Sequence, residues 1–139
     1  MIYITRRERF TAAHRLFKAE YTDEKNLEIF GKCSNPNWHG HNYELFVTIK
    51  GEINPETGFL VNLVELKNLV RKKIIDKVDH KNLNIEVDFL KNKFTSTEVL
   101  AISIWEELEK EILLLGARLH CVKISETENN SVEYFGENK

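Results

Sequence analysis

The sequence predicts an antiparallel α+β fold, and three observations predict it. Residue-by-residue alternation of apolar and polar side chains marks strands at both ends of the chain. Two stretches with apolar residues at spacings of three and four lie between them, as amphipathic helices require. The resulting order is strand, strand, helix, helix, strand, strand, which segregates helices from sheet. At 139 residues the chain has the length of one domain, residues 1–139, and can bury a core without disulfide staples.

The first strand alternates Ile2 and Ile4 against Tyr3 and Thr5, continues half-exposed through residues 6–10, and ends at His14. Residues 18–37 mix charge, Gly31 and Asn35-Pro36-Asn37 without periodicity and read as a long loop, a feature that is often functional in a compact domain. Over residues 42–50, Tyr43, Leu45, Val47 and Ile49 take one side of a second strand, and Asn54-Pro55-Glu56-Thr57-Gly58 is turn chemistry. Asn62 caps the first helix with Glu65 three residues on, and Leu63, Leu66, Leu69, Val70, Ile74 and Val78 form its buried stripe. The second helix opens at the capping-box pattern Thr95-Ser96-Thr97-Glu98, buries Val99, Ile102, Trp105, Leu108 and Ile112, and stops at Gly116. Strands over residues 119–125 and 131–135 follow, joined by a turn at Glu128-Asn129-Asn130.

The composition is that of an ordinary globular protein, with 42% hydrophobic and 30% charged residues, and the net charge of -2 gives no general pull toward nucleic acid or a membrane surface. Two cysteines, Cys33 and Cys121, make no disulfide framework. The opening MIYITRRERF lacks the apolar centre of a signal peptide, and no apolar run reaches spanning length, so a reducing cytoplasm is the expected compartment.

Chemistry concentrates around three histidines. In extended chain His39 and His41 point to the same face about 6.5–7 Å apart, close enough for both imidazoles to meet one ion at about 2.0–2.1 Å. Gly40 removes the side chain between them. If the first two strands pair antiparallel, the end of one lies beside the start of the other and His14 joins the pair. Three imidazoles with no fourth protein ligand is the donor set of a catalytic zinc with one open position; by spacing alone, metal-free surface or core histidines are the alternative. Cys33, six residues before His39, is either a fourth ligand that closes the site or a free thiol beside a cation, able to act as base or nucleophile, and the sequence does not separate the two. Asp79-His80 can orient an imidazole for proton transfer but on spacing reads better as solvated chain near a helix end. Glu126 shares the inward side of Val122 and Ile124, where a carboxylate needs a partner or a ligand. Glu98 reads as a capping residue, and His120 and Cys121 as structural.

Together these residues resemble the 6-pyruvoyl-tetrahydropterin synthase family. The resemblance runs from Phe10-Thr11-Ala12-Ala13-His14-Arg15-Leu16 through Gly31-Lys32-Cys33-Ser34-Asn35-Pro36-Asn37-Trp38-His39-Gly40-His41-Asn42-Tyr43, Gly51-Glu52-Ile53-Asn54-Pro55-Glu56-Thr57-Gly58 and Asp79-His80-Lys81-Asn82-Leu83-Asn84. It continues in Thr95-Ser96-Thr97-Glu98, Ser125-Glu126-Thr127-Glu128-Asn129-Asn130 and Tyr134-Phe135-Gly136-Glu137, and such pieces in order are specific where one is weak. The resemblance implies a four-stranded antiparallel sheet carrying two helices on one face, the tunnelling fold, assembled as a homohexamer of two stacked trimers. It implies zinc on His14, His39 and His41, a catalytic thiol at Cys33 with Asp79 and His80 as proton-relay partners, and a pterin-anchoring acid at Glu126 with Ser96 and Thr97 lining that pocket. The implied reaction is a lyase step on 7,8-dihydroneopterin triphosphate that yields 6-pyruvoyl-tetrahydropterin and releases triphosphate, with no nicotinamide, nucleic-acid or membrane partner.

Trp38 stands where the family pattern has a small residue and is expected to narrow the pocket. Arg15 and Lys32 are the candidates for the triphosphate. The nearest rival is 6-carboxy-tetrahydropterin synthase of the queuosine pathway, which shares fold, zinc and substrate; the five residues between Cys33 and His39 resemble the pyruvoyl enzyme more closely. A zinc hydrolase with an incidental Cys33 and a non-catalytic pterin- or metal-binding module are the more distant readings.

Overall fold

Long apolar–polar alternation gives this chain two thirteen-residue strands, β1 (Ile2–His14) and β2 (His39–Gly51), which pair antiparallel along their whole length. The computed structural model of the protein describes residues 1–137. Strand β3 (Lys81–Asn82) adds to the outer edge of β1, while β4 (Arg118–Thr127) and β5 (Asn130–Tyr134) extend the other side, giving the order β3-β1-β2-β4-β5. Because β3 runs parallel to β1, the sheet is five-stranded and mixed rather than the expected four antiparallel strands. Two residues are too few to carry an alternation, so nothing in the sequence marks that strand.

One face of the sheet builds the core. Tyr43, Leu45, Val47 and Ile49 of β2 and Val122 and Ile124 of β4 are at most 1% exposed, as the alternation requires. They pack against a helical run of α2 (Leu63–Val70), a π-helical turn (Arg71–Ile75) and α3 (Asp76–Val78), and against α4 (Thr97–Leu114). The Asn62 carboxamide accepts from Val64 N–H at 2.9 Å and caps α2 as expected. Gly116, at φ 92°, takes the left-handed conformation just past α4 that a side chain would resist.

Four expectations need correction. Residues 18–37 are not one loop: Thr22 caps α1 (Asp23–Phe30) by accepting from Lys25 N–H, and a 3₁₀ turn over Gly31–Ser34 follows. In the run after Asn62, Leu63 is 60% exposed and Leu69 half-buried, so the stripe begins at Leu66. In α4, Ile102 is exposed and Val99 half-buried, while Leu100, Ala101, Ile104, Trp105, Leu108 and Ile112 face the core. The cap of α4 is Ser96, whose hydroxyl accepts from Val99 N–H at 3.3 Å, so Thr95 and Glu98 do not form a capping box.

Candidate metal centre and its cavity

Where the core-facing side of the sheet reaches the end of β1 and the start of β2, its apolar alternation turns into imidazoles. The register pairs His14 with His39 and Ala12 with His41, and directly opposed residues share a face, so all three histidines project together. Ring centroids lie 4.5 Å apart for His14–His39, 5.1 Å for His14–His41 and 5.0 Å for His39–His41. Gly40 relieves crowding between the two strand ends. A methyl group there would sit 3.2 Å from the Ala12 carbonyl oxygen.

The donor atoms fit an ion. One nitrogen from each ring falls in a set whose members are all within 4.8 Å of one another. Two nitrogens each about 2.0–2.1 Å from a shared zinc are at most about 4.2 Å apart, so small ring rotations close the set. His14 Nε2, both His39 nitrogens and His41 Nε2 are buried without a hydrogen-bond partner among the described residues, a costly condition unless something fills the space between them. Burial lowers the pKa of His14, and that of His39 is lowered by burial and by neighbouring His41, so both favour the neutral form that ligates. His14 Nδ1 is 2.7 Å from the Thr95 carbonyl oxygen, which leaves Nε2 facing its two companions.

A cavity of about 760 Å³ opens beside the triad, with Cys33, His39, His41, Leu27, Lys32 and Pro36 among its walls. Cys33 is outside the mutually close donor set, which favours a free thiol over a fourth ligand. Glu126 lies two residues beyond Ile124 on the same face; its Oε1 is 3.2 Å from His41 Nε2 without the direction of a hydrogen bond, and Thr97 donates its hydroxyl to Oε2. Thr97 is buried, and Ser96 spends its hydroxyl on the helix cap.

Asp79 and His80 are not brought to this cavity. Asp79 Oδ1 accepts from Thr11 N–H at 2.9 Å and lies 3.0 Å from His80 Nδ1, and that backbone bond leads the causes holding its carboxyl below the usual range. His80 sits at φ 61° with its side chain 81% exposed. Asp79 borders a second cavity of about 470 Å³ with Arg9, Thr11, Asn42 and Glu44. Trp38, at φ 70°, lies edge-on to Phe17 and is not a wall of the larger cavity, so the expected narrowing is not seen there. Arg15 is committed to the Ser34 carbonyl at 2.8 Å and to Asp23, whereas Lys32 is exposed on the cavity wall.

Three residues at the site escaped sequence reasoning. Thr95 and Asn84 meet behind His14, and the Tyr43 hydroxyl is buried without a partner among the described residues. Burial, then the charges of Glu126 and Cys33, push the Tyr43 phenol well above its ordinary pKa, so it stays neutral. The signal for Tyr43 was its place in the strand, two residues past His41 on the same face.

A family model described as 6-pyruvoyl tetrahydropterin synthase matches residues 3–137. The 6-pyruvoyl tetrahydrobiopterin synthase of Pongo abelii is 47% identical over 134 residues, covering 96% of this chain and 91% of that protein. The structure of Caenorhabditis elegans 6-pyruvoyl tetrahydropterin synthase superposes with a TM-score of 0.88 at 37% identity, over 98% of this chain and 96% of that one. A 6-carboxy-5,6,7,8-tetrahydropterin synthase of Bacillus subtilis (strain 168) is 33% identical over 100 residues, 70% of this chain and 64% of that protein. With three histidines gathered beside a free thiol and likeness along nearly the whole chain, the protein belongs to the 6-pyruvoyl tetrahydropterin synthase family.

Proposed function

We propose that this chain is a zinc-dependent lyase that converts 7,8-dihydroneopterin triphosphate to 6-pyruvoyl-tetrahydropterin with loss of triphosphate. The observation that carries the reading is the cluster of three imidazoles with unpartnered ring nitrogens, two of which, His39 and His41, wall a cavity together with a free thiol, Cys33. His14, His39 and His41 hold the metal, which supplies Lewis acidity toward the hydroxyls of the substrate side chain. Cys33 Sγ takes and returns the protons whose movement shifts oxidation level along that side chain, so no nicotinamide is needed. Glu126 pairs with the guanidine-like edge of the pterin ring, and the Thr97 hydroxyl on Oε2 fixes the carboxylate plane for that contact. Lys32 is the basic wall residue placed for the phosphates.

Asp79 and His80 serve as the proton relay in this reading, yet within one chain Asp79 borders a different cavity from Cys33 and His80 lines neither. The relay is therefore completed across a subunit boundary, the pair of one protomer meeting the thiol of its partner in a homohexamer of two trimers. Mass spectrometry of the product from dihydroneopterin triphosphate tests the reading. Pyruvoyl-tetrahydropterin is expected; carboxy-tetrahydropterin with acetaldehyde would assign the chain to the other activity, and no conversion at saturating substrate would leave only binding.

A further inference from the structure

The run Asp79-His80-Lys81-Asn82-Leu83-Asn84 ends in a side chain that the proposed chemistry does not use. Asn84, half-buried just after β3, accepts at Oδ1 from Arg15 N–H at 3.0 Å and from the Thr95 hydroxyl at 3.0 Å, and donates from Nδ2 to the Arg15 carbonyl at 2.9 Å. A backbone N–H can only donate and a carbonyl can only accept, so one orientation of the carboxamide satisfies all three bonds. Asn84 is itself held in place, with its N–H on Asn82 Oδ1 at 3.0 Å and Leu83 N–H on the Ala13 carbonyl at 2.8 Å.

Both partners of this amide bear on His14. Arg15 is the next residue along the chain, and Thr95 carries the carbonyl that faces His14 Nδ1 at 2.7 Å. That carbonyl fixes the proton on Nδ1 and leaves the Nε2 lone pair free, aimed among His39 and His41 with no partner of its own. Thr95 is 1% exposed, so its hydroxyl depends on partners inside the protein. Without the carboxamide that hydroxyl keeps only a 3.3 Å contact with the Arg15 carbonyl.

We propose that Asn84 is a positioning residue for the metal centre: through Thr95 and Arg15 it holds His14 in the tautomer and ring orientation that present Nε2 to the ion. This rests on the metal reading above and goes beyond it by assigning the groups that aim the ligand. Outer groups that orient a ligating histidine are typically worth about 10- to 100-fold in metal affinity.

Cobalt(II) titration of the metal-stripped full-length protein tests it, following the visible ligand-field bands beside thermal unfolding of each metal-free variant. The wild type should take up one Co²⁺ per chain. Asn84→Ala should bind roughly 10- to 100-fold more weakly with altered band positions. Thr95→Val, which lacks the hydroxyl, should follow it, whereas Thr95→Ser, which retains it, should stay near wild type. Wild-type affinity and bands in both Asn84→Ala and Thr95→Val would overturn the proposal even if their unfolding temperatures fell, because a purely structural role predicts that pattern. Should Asn84→Ala fail to fold, the two Thr95 variants decide by the same criterion. A wild-type protein that takes up no stoichiometric Co²⁺ would defeat the metal reading itself, and this inference with it.

Discussion

At the scale of single residues, the division of labour between metal ligands and Cys33 can be separated experimentally. The thiol lies outside the donor set, so Cys33→Ala is expected to retain metal stoichiometrically while turnover falls about 10²- to 10⁴-fold, the usual worth of a positioned acid or base. Metal content and kcat measured on one preparation check this. Loss of the metal along with activity would return Cys33 to the ligands, and unchanged turnover would favour the hydrolase reading. The histidines were legible in the sequence because a period of two puts His39 and His41 on one face, and antiparallel pairing brings His14 to them. Asn84 and Thr95 were not, since an amide reaching across 11 residues to a hydroxyl and across 69 to a backbone leaves no local pattern.

At the scale of elements, the strands were readable and parts of the helices were not, for reasons that differ from helix to helix. In α1 the single buried residue is Asn26, whose carboxamide bonds the Lys18 backbone in both directions. A helix fastened by a cap and an amide, rather than by an apolar stripe, shows no period of 3.6. In α4 apolar residues occur nearly all round, with Leu113 and Leu114 exposed, so more than one stripe can be drawn. The structure selects the stripe through Ile104. Ile104→Ala is expected to cost about 2–5 kcal/mol and Ile102→Ala, at 38% exposure, under about 1 kcal/mol, as read from chemical denaturation. The capping error has a tertiary cause: Thr95 has its hydroxyl on Asn84 and its carbonyl toward His14, which leaves Ser96 to cap.

At the scale of the whole molecule, the separation of Asp79-His80 from the Cys33 cavity makes the active unit larger than one chain in the proposed mechanism. Cys33→Ala and His80→Ala proteins should each be nearly inactive. Reassembled together at random they should regain activity, on the order of a quarter of wild type, because one site in four then combines an intact thiol with an intact relay across a symmetric interface. If mixing restored nothing while mixed oligomers formed, the relay would have to lie within one chain or be supplied by other groups. The sequence gives no view of this arrangement, since neither alternation nor spacing says which subunit a residue will face.

The direct pairing of His14 with His39 also constrains how such a chain can change over evolutionary time. Dropping or adding one residue inside either long strand rotates everything beyond it to the opposite surface of the sheet, scattering the imidazoles. Gaps within residues 2–14 or 39–51 should therefore be purged, whereas the stretch from 18 to 30, outside the paired ladder and ahead of Lys32 and Cys33, can vary in length more readily. Descendants of this protein are expected to differ in the size of that excursion long before they differ in the spacing of either strand.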